Sequence, residues 1–248
     1  MGTRWLTSFA DVPEPACDLL CFPHAGGGTS VFQGWQRHTD ALRVQAVRLP
    51  GRESRLREPA MADLGELVAA LTTALAPFTD RPYAFYGHSM GALVAYELTR
   101  ALRAAGLPLP LGLFVAGMDA PQRLRLDRAH DLPRDELVAW LIGVNGLDPE
   151  VLEYPALIDL MLPTIRADLA VVEEYAHRPE PPLPVPIHVL RGSDDVQSTA
   201  VGSGSWSELT SAACTVTDLD GDHFFVQRHE RRVVSLIESD LLAEGARR

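Results

Sequence analysis

Short, nearly continuous apolar runs alternate along this chain with segments whose apolar residues recur at helical spacing. The runs at 18–22, 44–49, 83–86, 111–116, 187–191 and 214–219 are brief and mostly bounded by Gly or Pro. Strands buried on both faces of a parallel sheet have this character. Between them, Leu64, Leu67, Val68, Leu71 and Leu75 fall on one face of a helix predicted over 64–76. Residues 91–105 predict a second helix, stopped by Gly106 and Pro108. Residues 230–243 predict a last one, with Val233, Val234, Ile237 and Leu241 on its inner side. This alternation predicts a mostly parallel central sheet flanked by helices on both faces.

Residues 121–180 break the rhythm. Helical patterns punctuated by Pro133, Pro149, Pro155 and Pro163 lead to Pro179, Pro181, Pro182, Pro184 and Pro186, a stiff extended return. A helical block between two core strands predicts a lid over an active site. The plainer reading is a helical layer that only completes the core. The whole chain, 1–248, is expected to be a single α/β domain with this insertion inside it.

Composition narrows the classes. Hydrophobic residues make up 46% and charged residues 22%, as in ordinary globular proteins. No apolar run is long enough to predict a membrane span, and the N-terminus lacks the apolar stretch of a secretory signal. Cys17, Cys21 and Cys214 make an odd set without framework or zinc spacing, which predicts reduced thiols in a cytoplasmic protein. The net charge of −11 argues against nucleic-acid binding. The chain is expected to act as a monomer.

Candidate chemistry centres on Gly87-His88-Ser89-Met90-Gly91, which follows an apolar strand and opens a helix. In that context Gly-x-Ser-x-Gly is a nucleophile elbow. The chain turns so sharply that the serine hydroxyl projects at the carboxyl edge of the sheet, beside helical N–H groups that favour negative charge. The elbow requires the order serine, acid, histidine. His223 sits on a loop after the run at 214–219, where the base belongs. His188 lies inside a strand, His130 and His177 lie in or beside the lid, and His229 comes too late. The run at 187–191 ends at Gly192-Ser193-Asp194-Asp195. Asp195 is preferred as the acid over Asp194. Such an acid accepts the far imidazole N–H and fixes the tautomer. Asp218, Asp220 and Asp222 alternate like a calcium loop, but His223 and His229 occupy the positions that need Gly and Glu, so no metal is expected. One oxyanion donor falls to the Met90 amide. The other comes from the loop Pro23-His24-Ala25-Gly26-Gly27-Gly28 and is assigned to Ala25, with Gly26 as the alternative. The glycine run is followed by Thr29-Ser30 without the lysine of a phosphate loop.

Phe22-Pro23-His24-Ala25-Gly26-Gly27, Leu49-Pro50-Gly51-Arg52 and Gly87-His88-Ser89-Met90-Gly91-Ala92 resemble the stand-alone type II thioesterases of polyketide and non-ribosomal peptide assembly lines. Leu162-Pro163-Thr164-Ile165-Arg166-Ala167-Asp168 and Gly221-Asp222-His223-Phe224-Phe225 resemble two further motifs of that family. The resemblance implies an α/β-hydrolase fold with a mobile helical lid. It implies hydrolysis of acyl groups from the phosphopantetheine thiol of acyl or peptidyl carrier proteins, without a cofactor, to clear stalled or misprimed units. Where the family often has proline after the acid, this chain has Val196-Gln197.

Substrate contacts are expected from His24, Gly26, Met118 and Met161, with Leu141 and Leu162 as further candidates for the acyl chain. An acidic carrier meeting an acidic enzyme needs a local basic patch. Arg48, Arg52, Arg55 and Arg57 form one candidate cluster, and Arg123, Arg125 and Arg128 another. Ion pairing with Glu53 and Glu58 is the competing use of the first. The same triad could serve an esterase or acyltransferase on a small substrate. A non-catalytic carrier-binding partner is the reading from a different class.

Overall fold

Alternate residues of the central strands feed two separate apolar layers. In the computed structural model, which describes residues 4–124 and 128–245, strand β2 (Cys17–Phe22) sends Leu20 and Phe22 into one layer and Leu19 and Cys21 into the other. Strand β4 (Tyr83–His88) divides Tyr83 and Phe85 from Ala84 and Tyr86 in the same way. Strand side chains alternate faces, so a run apolar at every position is what a doubly covered strand needs.

Seven strands form one sheet in the order β1-β3-β2-β4-β5-β6-β7. The others are β1 (Leu6–Ser8), β3 (Leu42–Val47), β5 (Leu113–Ala116), β6 (Ile187–Gly192) and β7 (Cys214–Leu219). All neighbours run parallel except β1, which pairs antiparallel with β3. This is an α/β-hydrolase fold. The helices predicted over 64–76, 91–105 and 230–243 are α1 (Leu64–Leu75), α2 (Met90–Ala104) and α7 (Glu230–Gly245). Asp63 caps α1 by accepting the Glu66 amide. Helices α1 and α2 cover one face of the sheet. On the other, Val233, Val234 and Ile237 of α7 join Phe32 and Trp35.

Several elements depart from the sequence reading: the strand expected over 111–116 begins only at Leu113, and the one expected over 83–86 runs on to His88. β1 was not foreseen. The strand expected over 44–49 runs two residues earlier at both ends, because Leu49, Pro50 and Gly51 already turn away.

Between β5 and β6 the described residues include several helical stretches. These are α3 (Arg134–Gly143), α4 (Pro155–Glu173) and short 3₁₀ turns. Leu137, Val138, Leu141, Ile158, Leu162 and Ile165 give this segment a small apolar cluster of its own. Two short helices, α5 (Ala200–Gly204) and α6 (Phe225–Arg228), follow β6 and β7.

Candidate active site

The turn from β4 into α2 puts Ser89 at φ 53°, ψ −119°, a conformation that L-residues rarely adopt. The flanking glycines are required by backbone contact. A Cβ on Gly87 would lie 2.2 Å from the Gly91 carbonyl oxygen, and a Cβ on Gly91 would lie 2.2 Å from that of Phe22. The Ser89 amide donates to Ala116 O at 2.8 Å, which ties the elbow to β5.

Two loops at the same sheet edge bring acid and base together. A Cβ on Gly192 would meet the carbonyl oxygens of Asp222 and Gly221 at 2.5 and 2.6 Å, so the loops after β6 and β7 touch through their main chains. The Asp194 amide donates to Gly221 O at 2.9 Å across that contact. Asp195 Oδ2 then lies 3.0 Å from His223 Nδ1, with both side chains buried. The same carboxylate accepts the Gln197 amide and the Ser198 hydroxyl, each at 2.8 Å. Burial pushes the Asp195 carboxyl up. The hydrogen bonds from His223, Gln197 and Ser198 outweigh it and hold the group below the usual carboxylate value. Asp194 is exposed, and its backbone serves the loop contact.

Ser89 and His223 line one cavity of about 90 Å³ together with His24, Ala25 and Gly26. Trp140, Leu141, Val144, Met161, Ile165 and Leu169 form its wall on the helical-segment side. With Nδ1 committed to Asp195, Nε2 is the ring nitrogen left for Ser89. The other histidines that follow Ser89 in the chain are engaged elsewhere. His130 meets Glu173, His177 meets Tyr175, His188 meets Asp240, and His229 donates to Asp220 O.

The candidate oxyanion donors differ in availability. Among the described residues, neither the Ala25 nor the Met90 amide donates to a protein group. The Gly26 amide is taken by Asp168 Oδ2 at 2.7 Å, so of the two loop candidates Ala25 is the one with a free amide. His24 lines the cavity while its Nδ1 donates to Ala25 O at 2.9 Å. Met161 and Leu141 face the cavity. Two expectations for the acyl pocket need correction. Met118 is buried in the layer under α1 and α2, where the Trp206 indole N–H donates to its carbonyl at 2.9 Å. Leu162 is buried in the internal cluster of the helical segment and, unlike Leu141 and Ile165 of that cluster, does not line the cavity.

The sequence assigns no role to His88, the residue before Ser89 in the elbow. It is fully enclosed, and its Nε2 donates to His223 O at 2.8 Å. Burial, with His223 and His24 nearby, holds its pKa well below the usual histidine value, so the ring is neutral in the fold. The unfolded chain regains the ordinary value of about 6.5. A depressed folded pKa contributes stability above the unfolded value and loses it as the pH falls toward the folded one. Below about pH 6.5 the His88 share of that loss is expected to approach about 1.4 kcal/mol per pH unit. His88→Gln keeps an N–H donor but cannot titrate, so its urea-unfolding free energy should fall less between pH 7 and 5 than that of the wild type. Identical losses would rule His88 out as the source.

The first arginine cluster is largely absorbed by the fold. Arg48 pairs with Glu53 at 3.4 Å, Arg52 with Asp168 at 2.7 Å, and Arg55 with Glu58 at 2.7 Å. The Arg55 guanidinium also lies 4.0 Å over the Trp5 ring. Arg57 is exposed. Of the second cluster, Arg123 pairs with Glu208 and Arg128 with Asp131 and Glu174, all on the surface. Arg125 lies outside the described residues. No group of three or more His, Cys, Asp or Glu among the described residues could hold a metal ion. No helix among them is long and apolar enough to cross a membrane.

A half-buried serine on a strand–helix elbow, a buried Asp–His pair, and unpaired amides at Ala25 in the cavity wall and at Met90 at the start of α2 define the site of a serine acyl hydrolase. A family model, the thioesterase domain, matches residues 18–241, and the chain belongs to that family. It is similar to "Linear gramicidin dehydrogenase LgrE" of Brevibacillus parabrevis, 35% identical over 96% of this chain and 93% of that protein. It is likewise similar to "Thioesterase PikA5" of Streptomyces venezuelae, 32% identical over 96% of this chain and 85% of that one. Among solved structures, the type II thioesterase BorB from the borrelidin biosynthetic cluster superposes with a TM-score of 0.89. It is 34% identical and covers 97% of this chain and 99% of its own. The word dehydrogenase in the first name belongs to that protein. Here the glycine-rich loop reads Gly26-Gly27-Gly28-Thr29-Ser30-Val31, without the last glycine of a dinucleotide fingerprint.

Proposed function

We propose that this protein hydrolyses acyl thioesters from the phosphopantetheine arm of acyl or peptidyl carrier proteins, and so clears stalled or misprimed biosynthetic assembly lines. The observation that carries the reading is the Asp195–His223 pair opening onto the same cavity as Ser89. The biosynthetic context rests on the family and on the printed names of the similar proteins.

In this mechanism His223 Nε2 takes the Ser89 proton as Oγ attacks the thioester carbonyl. The oxyanion so formed accepts from the Met90 and Ala25 amides. When the tetrahedral intermediate collapses, the C–S bond breaks and the pantetheine thiol leaves with the proton from His223. Water then gives a proton to the same imidazole and attacks the acyl-serine. The second collapse returns the proton to Ser89 and releases the carboxylic acid. Asp195 stabilises the imidazolium in both halves. No cofactor takes part.

The segment 121–180 acts as the lid in this reading. A cavity of about 90 Å³ is far below the roughly 300–1,000 Å³ of ordinary ligand sites, so substrate entry requires the helical wall to move. Met161 and Leu141 would then contact the acyl chain. Docking falls to exposed arginines such as Arg57, Arg123 and Arg128. We place the working enzyme in the cytoplasm as a monomer.

The test is a kinetic panel of an acyl-carrier protein, the same acyl group on free pantetheine, and the matching oxygen ester. The carrier-bound thioester should have the highest kcat/KM, with free acid as the product. Preference for the oxygen ester would point to an esterase. Acyl transfer to an added amine or alcohol would point to a transferase, and no turnover of any member to a binding partner.

A further inference from the structure

Arg52 and Asp168 lie 116 residues apart in sequence and form a buried ion pair, with side-chain exposures of 8% and 3%. Arg52 Nη1 and Nη2 reach Asp168 Oδ2 and Oδ1 at 2.8 and 2.7 Å. A pair this buried contributes little to stability beyond what apolar residues of similar size would. Its remaining hydrogen bonds show what else it does. Asp168 Oδ2 accepts the Gly26 amide at 2.7 Å, and Arg52 Nη1 donates to Gly27 O at 2.8 Å. The pair therefore grips the Gly26–Gly27 backbone by one donor and one acceptor. Thr164 Oγ1 donates to Gly51 O at 2.7 Å and fastens the Arg52 loop to the helix that carries Asp168.

The consequence falls on Ala25. Gly27 N–H donates to His24 O at 2.9 Å, and a trans peptide points its N–H opposite to its C=O, so this bond aims the Ala25 amide. The next peptide plane is held at both ends, by His24 Nδ1 on Ala25 O and by Asp168 on the Gly26 amide. Gly26 stands at φ 74°, with room for a Cβ only 3.0 Å from Ile165 Cγ1. The loop thus has one aim, and the ion pair holds it there.

We propose that Arg52 and Asp168 are positioning residues that keep the Ala25 amide directed at the developing oxyanion. The proposal rests on the thioesterase reading of Ser89 above. A misaimed donor costs transition-state stabilisation and leaves ground-state binding alone.

The informative variant replaces the pair by an apolar one, Arg52→Met with Asp168→Leu, because it buries no lone charge. Its melting temperature should stay within about 4 °C of wild type. Its kcat should fall roughly 10- to 100-fold with KM within about twofold, as for a small misplacement of a reacting group. A trifluoromethyl ketone, which forms a tetrahedral adduct with the active serine, should weaken in parallel with kcat/KM. Arg52→Met with Asp168→Asn restores a neutral acceptor for the Gly26 amide and should recover part of kcat at a similar melting temperature.

A folded Met/Leu variant with wild-type kcat and inhibitor affinity would overturn the proposal. So would failure of both double variants to fold, since the pair would then be an element of the fold alone. If wild-type protein hydrolyses no acyl thioester, or Ser89→Ala loses nothing, the thioesterase reading itself falls.

Discussion

Replacing Ser89 with alanine is expected to lower kcat for an acyl-carrier thioester by roughly 10⁴- to 10⁶-fold, because triad members act as a unit. The hydroxyl is the only atom removed. Among the described residues it makes no hydrogen bond to protein, so the melting temperature should hardly move. The amides of Met90 and Ala25 stay in place, so binding of substrate should survive and the loss should appear in kcat. Steady-state kinetics with circular dichroism on the same preparation would measure both. A variant retaining more than about a hundredth of wild-type activity would mean that another group attacks the carbonyl.

The second large effect is predicted at the acid, where two neighbouring aspartates can be told apart. Asp195→Asn should reduce kcat by about 10⁴-fold, the cost of presenting the wrong imidazole tautomer. The amide NH₂ would donate to His223 Nδ1, leave the proton on Nε2 and so remove the acceptor that Ser89 needs. Asp194→Asn should change kcat by less than about twofold, because that exposed side chain lies outside the cavity lining. The reverse pattern in paired assays would move the acid by one position and break the link between the 3.0 Å contact and the chemistry.

The contrast between these aspartates also measures what could be read from the chain. Both follow the same strand and both are acidic, so local pattern could only rank them. What separates them is a loop contact at Gly192 that sequence spacing does not encode. The elbow around Ser89 was legible because its constraint is local: Gly87 and Gly91 are dictated by contacts within one turn and with the adjoining strand. Most strands were legible because each is apolar on both faces. β1 was not, since three residues carry no periodicity and it lies at the sheet edge, paired with β3 alone. The Arg52–Asp168 pair was present only as two separate motif matches, 116 residues apart, with nothing to indicate that they meet. Spacing suggested instead that Arg52 and Arg55 belong to a surface patch, and burial reassigns both. Met118 follows a strand end near the site, and periodicity could not say to which side it turns.

Helix α4 has two roles that constrain how the site can be entered. Met161, Ile165 and Leu169 roof the cavity, while Thr164 and Asp168 on the same helix are fastened to Gly51, Arg52 and Gly26. On the far side of the roof, Asn145 reaches Asp222 at 3.2 Å in an exposed position. A door swings about the edge that is bolted. Here the bolted edge adjoins the Ala25 amide, and the latch lies at the tip that follows α3. In the lid reading proposed above, an opening at the latch would admit a long, flexible arm without disturbing the aim of the chemistry, whereas an enzyme that opened at α4 would have to reassemble itself on every turnover.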